Sequence, residues 1–123
     1  MQKEVIHDWM NHFNPILNKY NTVKKKLKAK VTERKELNVK KEKTSILNPI
    51  QHIKLNQQLT TITEEIEELK SRKEQLIFQA ECSTDKDMTN LSKKYDQMNN
   101  NLDILDSQDI SLKKQLEKDA AAF

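Results

Sequence analysis

Apolar residues recur at alternating steps of three and four along most of this chain. Leu55, Leu59, Ile62, Ile66, Leu69 and Leu76 form one run, with Lys73 its only polar occupant. Met88, Leu91, Tyr95, Met98, Leu102, Leu105, Leu112 and Leu116 form a second, interrupted only by Asp109. A mean step of 3.5 residues keeps one stripe of an α-helix facing a neighbouring helix over several turns, which is the pattern of a coiled coil. Cys82-Ser83-Thr84-Asp85 separates the runs, and Ser83, Thr84 or Asp85 is placed to accept the free amides that open the next helix. Asp85 and Asp87 suit the positive end of its dipole. A short polar break between helices of similar length predicts an antiparallel hairpin over residues 49–119, the alternative being one continuous rod bent or frayed near residue 83.

The N-terminal part is less regular. Val5, Trp9, Phe13, Ile16, Tyr20, Val23 and Leu27 keep helical spacing, but Pro15 falls among them. It predicts a kink, or a fresh start with Asn14 as cap. Beyond Leu27 the stripe decays, because Lys30 and Arg34 take heptad positions before Leu37. Thr44-Ser45-Ile46-Leu47-Asn48-Pro49 reads as a connector, with Asn48 as N-cap and Pro49 in the first turn. The fold expected is all-α, three long helices in one coiled-coil domain: 3–42 kinked near Pro15, 49–81 and 85–119. Lys73 and Asp109 are expected to set register in their seams.

Composition narrows the function classes. The chain has no glycine in 123 residues. Phosphate loops and dinucleotide-binding turns need it for close backbone approach. A third of the residues are charged and only 5% aromatic, which suits thin helices with narrow seams. No apolar run reaches the ~18–20 residues that span a bilayer, and the N-terminal residues lack the apolar core of a signal peptide. One cysteine, Cys82, precludes an intrachain disulfide and points to a reducing, cytoplasmic setting.

Charge is unevenly divided. Residues 1–60 hold 13 Lys/Arg and 5 Asp/Glu (net +8), and residues 61–123 hold 9 and 14 (net −5), which together give the chain's +3. The densest basic stretch is Lys24, Lys25, Lys26, Lys28, Lys30, Arg34, Lys35, Lys40, Lys41 and Lys43. Such a run can neutralise nucleic-acid phosphates and release their counterions, without reading sequence. The competing reading is a solvated helix that aids solubility or pairs with Glu64, Glu65, Glu67 and Glu68. A membrane role is not expected, because the lysines spread round the helix and leave no strong apolar face.

Catalytic and metal chemistry find no pattern. His7 and His12 are five apart, whereas ligands on one helical face sit three or four apart, and His52 has no ligand at a useful offset. Cys82 lacks an identifiable base to form its thiolate. Asp103, Asp106 and Asp109 repeat along one helix with no sign of the dry pocket that a general acid needs. Tyr20 and Tyr95 occupy apolar seams. The expectation is therefore no enzyme, no cofactor, no metal and no small-molecule substrate. The candidate protein interface is the two seams, Leu59, Ile62, Ile66 and Leu69 with Leu91, Tyr95, Met98, Leu102 and Leu105. Trp9 and Phe13, four apart, join it as a helix-end cap or a partner anchor.

One resemblance bears on function. The stretch 47–59, Leu-Asn-Pro-Ile-Gln-His-Ile-Lys-Leu-Asn-Gln-Gln-Leu, continues as Thr-Thr-Ile-Thr-Glu-Glu-Ile-Glu-Glu-Leu-Lys-Ser-Arg-Lys-Glu-Gln-Leu to residue 76. With Ala-Glu-Cys-Ser-Thr-Asp-Lys-Asp-Met at 80–88, it resembles the C-terminal helical region of relaxases, the plasmid and conjugative-transposon mobilisation proteins of Gram-positive bacteria. The likeness covers about residues 20–118. Relaxases nick DNA with a separate domain built on a tyrosine nucleophile and a histidine-bound metal, and no residue here matches those motifs. The resemblance implies a non-catalytic tail or accessory module that binds protein partners or itself, with non-specific DNA contact through residues 24–43. The alternative is a structural scaffold or adaptor with no nucleic-acid role.

Overall fold

A computed structural model describes residues 3–44 and 47–121 of the chain. Three helices account for nearly all of them: α1 (Lys3–Lys43), α2 (Pro49–Gln79) and α3 (Asp85–Ala121). The chain is all-α, with no strand among the described residues. Ser45 and Ile46, in the middle of the expected connector, lie outside them.

The helix ends follow local chemistry. Asn48 caps α2, its Oδ1 accepting from the Gln51 amide at 3.3 Å, and Pro49 fills the first position, where an amide would have no partner anyway. His52 Nε2 lies 3.2 Å from the Thr44 carbonyl oxygen and ties the first turn of α2 to the residue just past α1. At the far end of α2, the Glu81 amide donates to Phe78 O at 2.9 Å and the Cys82 amide to Ile77 O at 3.0 Å. This is a Schellman closure, and it needs a left-handed residue, here Glu81 at φ 58°. Thr84 then caps α3 reciprocally. Its Oγ1 accepts from the Asp87 amide (3.2 Å), while Asp87 Oδ2 accepts from the Thr84 amide (3.1 Å).

Of the two readings open at Pro15 the single helix is the one that forms, and the expectation for the stripe beyond Leu27 needs correction. The helix runs unbroken through Pro15, so Asn14 does not cap a new one. Instead Asn14 Oδ1 accepts from the Tyr95 hydroxyl at 3.3 Å. Nor does the stripe decay after Leu27. Tyr20, Val23, Leu27, Lys30, Arg34, Leu37 and Lys41 keep the three-four spacing, and every one of them is buried or half-buried. Long cations can hold seam positions because their methylene stems cover apolar surface while their heads reach water.

The helices pack as two units, and α1 contributes to each. The first unit comprises Met1–Leu17 and Thr84–Phe123, the second Asn18–Ser83. In the first, Lys3 binds Asp106 Oδ1 (2.7 Å) and Asp109, while Trp9 and Asn14 meet Tyr95, so α1 and α3 run antiparallel. Ile6, Met10 and Leu102 form its buried core, with Trp9, Tyr95, Met98 and Leu105 packed around them. Asp109, the polar intruder in its seam, is thus matched by Lys3. In the second unit Val23 lies near Leu76, Lys30 near Glu65 and Leu37 near Ile62, again antiparallel. Leu55, Ile62, Ile66 and Leu76 are buried there, with Ile66 at 0% exposure.

Two substitutions at the α2–α3 break should act in opposite directions. Thr84→Ala should lower the unfolding free energy by about 1 kcal/mol through loss of the cap. Glu81→Gly should raise it by roughly 0.5 kcal/mol, because relief of the left-handed cost exceeds glycine's greater unfolded freedom. Urea denaturation followed by circular dichroism checks both, and a loss of stability in Glu81→Gly would contradict the strained-cap account.

Candidate nucleic-acid interface

The basic stretch lies on the part of α1 that belongs to the second unit. Lys24, Lys25, Lys26, Lys28, Lys35, Lys40 and Lys43 are exposed, whereas Lys30, Arg34 and Lys41 sit half-buried at seam positions. The ten residues thus divide into seven that present charge to water and three whose stems help build the unit. The helix itself is held by ordinary means. Thr22, Thr32 and Thr44 each donate a hydroxyl to the carbonyl four residues back, so their polar groups are satisfied locally.

Lys30 is the exception in its electrostatics. Its ammonium lies 2.6 Å from Glu65 Oε2 and 3.8 Å from Glu33 Oε2. The hydrogen bond to Glu65 holds it charged above the ordinary lysine value of 10.5, and desolvation opposes that only in part. Lys3 is raised likewise, by its hydrogen bonds to Asp106 and Asp109. Among the described residues no other cation of the 24–43 run has a carboxylate partner. The acidic segment of α2 therefore does little to neutralise it. Glu65 takes Lys30, while Glu67 takes Lys70 of its own helix at 3.7 Å.

The expected protein-interface residues are largely used within the chain. Ile62, Ile66 and Leu102 are buried, and Leu59, Leu69, Leu91, Tyr95, Met98 and Leu105 are half-buried. Trp9 and Phe13 are half-buried too, with ring centroids 4.9 Å apart; Tyr95 lies 6.2 Å from Trp9, and Lys94 Nζ stands 5.4 Å from the Trp9 ring. The aromatic pair thus meets α3 within its own unit. Among the described residues of the two runs, the apolar heptad residues left exposed are the last two of the second, Leu112 at 62% and Leu116 at 66%.

Other candidates stay apart. Among the described residues no group of three or more His, Cys, Asp and Glu is disposed to hold a metal. Cys82 is half-buried at the helix break, its Sγ 3.5 Å from the Ala80 carbonyl oxygen. Two cations were missed in the sequence because they lie outside the dense run. Lys19 and Arg72 join Lys26 along the groove between α1 and α2. The seven-residue spacing of Lys19 and Lys26 was visible, but the approach of Arg72 from the other helix was not. In comparisons with known proteins, the chain matches no family model, no curated protein and no solved structure.

The Lys30–Glu65 pair carries a pH signature. Because the lysine pKa is raised on folding, the pair's contribution is whole below pH 10.5 and is lost as pH rises through the folded value. The thermal midpoint of the native chain should therefore fall more steeply above pH 10.5 than that of Lys30→Gln. Parallel curves in calorimetry would show that the pair does not couple to folding.

Proposed function

We propose that this protein is a non-catalytic helical interaction module that binds nucleic acid without sequence preference through residues 24–43 of α1, as part of a DNA-mobilisation system. One observation carries the nucleic-acid reading: apart from Lys30, the cations of this run have no carboxylate partner among the described residues, so their charge is available to phosphates. A run neutralised by the acidic helix beside it would have favoured the reading in which it pairs with Glu64, Glu65, Glu67 and Glu68. The assignment to mobilisation rests on the resemblance of residues 47–88 to relaxase tails alone. A cytoplasmic setting agrees with the single Cys82. Among the described residues no helix is long and apolar enough to cross a membrane.

A second reading, a scaffold that joins helices, is favoured by Leu112 and Leu116, exposed apolar residues at the last heptad positions of α3. The two roles are compatible, since they use different units.

A DNA-retardation titration across a salt series tests the first reading. Binding should tighten as salt falls, with log K changing by about −0.9 per neutralised phosphate for each unit of log salt, and random-sequence duplexes should compete equally. No retardation at low salt would remove the nucleic-acid role. For the scaffold reading, light scattering should find an assembly larger than one chain that Leu112→Glu/Leu116→Glu dissolves. A native chain that is monomeric at high concentration would exclude self-association.

A further inference from the structure

Inside the second unit, a groove of about 440 Å3 runs between the Asn18–Lys26 stretch of α1 and the Arg72–Gln79 stretch of α2. Lys19 and Lys26 stand on one wall, seven residues apart and so two turns along one face. Arg72 stands on the other wall with Gln75 and Gln79, and the buried Val23 and Leu76 lie beneath. Among the described residues no carboxylate lines this groove. Its neighbours differ. The next groove along the same helix pair sets Lys30 and Lys54 against Glu33 and Glu65, and the hollow beside Lys25 and Lys28 holds Glu33 and Glu36. Among the described residues, neither Lys19, Lys26 nor Arg72 has an ion-pair partner.

Like charges gathered over an apolar floor repel one another, and an entering anion relieves that repulsion. We infer that the groove is a binding site for a run of phosphoryl groups, those of a nucleic-acid strand. The guanidinium of Arg72 offers a planar fork for two phosphoryl oxygens, the two lysines act as point charges, and the amides of Gln75 and Gln79 add donors. The nine residues from Asn18 to Lys26 cover about 12 Å of helix axis, long enough for a strand to set successive phosphates beside Lys19 and Lys26 while Arg72 meets it from the other wall. The inference rests on the nucleic-acid reading above and deepens it, since two of its three cations lie outside residues 24–43. A free polyphosphate presents the same oxygens, and the test separates the two sources.

The full chain is titrated with a labelled single strand, a labelled duplex of equal length and inorganic triphosphate, each across a salt series. Two charge-matched variants accompany it: Lys19→Gln/Lys26→Gln/Arg72→Gln in the groove, and Lys113→Gln/Lys114→Gln/Lys118→Gln on α3. All six side chains are exposed, so both variants should keep the native helix content, which circular dichroism checks. The groove variant should lose at least about tenfold in strand affinity, and its salt slope should flatten by roughly 2–3. The α3 variant should stay within about twofold of the native chain, since it lies off the proposed contact. Equal losses in both variants would overturn the groove site and leave the broader nucleic-acid reading standing. Triphosphate binding that the groove variant abolishes, without strand binding by the native chain, would keep the phosphate site and overturn the nucleic-acid reading. No binding of any probe at low salt would overturn both.

Discussion

Both units draw on α1, and Pro15 lies inside that helix, within the stretch that belongs to the first unit. That residue has no amide to donate, and its ring crowds the carbonyl of Asn11, at a cost of about 3 kcal/mol in a helix interior. The helix persists because apolar burial flanks the proline on either side: Ile6 and Met10 before it, Leu17, Tyr20 and Val23 after it. Each fully buried aliphatic side chain contributes about 1.5–3 kcal/mol, so a few of them outweigh the defect. A break at Asn14 would have freed α1 to end there. Burial on both flanks removes that option.

The division of charge follows from the same helix. A seam that must hold its spacing through a lysine-rich stretch takes long cations at Lys30, Arg34 and Lys41, where the stems can lie along the contact. Among the described residues, only Lys30 of these reaches a carboxylate across the helix pair, and in the first unit Lys3 does the same with two aspartates. The protein thus uses little of its cationic charge to hold itself together. The densest part of it is displayed on α1, with Arg72 of α2 beside Lys19 and Lys26, and this links the fold to the function proposed for it.

The helices themselves were largely legible in the sequence. Three-four spacing marked the seams, Asn48-Pro49 marked the start of α2, and the polar residues 82–85 marked the break at which Thr84 caps α3. These signals are local, because a cap or a helical stripe depends on residues within a turn or two of each other. At Pro15 the spacing left two readings open, a single helix or a fresh start capped by Asn14, because the burial that offsets the local cost comes from packing that spacing does not contain. Lys30 and Arg34 misled because a charged head at a heptad position looks like the end of a seam, although the stem below it is apolar.

The candidate site divides along the same line. Ten basic residues in a twenty-residue stretch could be read directly, and so could the lack of glycine in the sequence. Which of those cations point to water, which lean on the seam and which already hold a carboxylate depended on how α1 meets α2. Arg72 faces Lys19 and Lys26 only because an antiparallel pairing brings residue 72 back beside residue 26, and no local pattern encodes an encounter over that separation. Helix type and helix ends are set by neighbours in the chain; the partners of each side chain are set by long-range packing, which one-dimensional spacing does not contain.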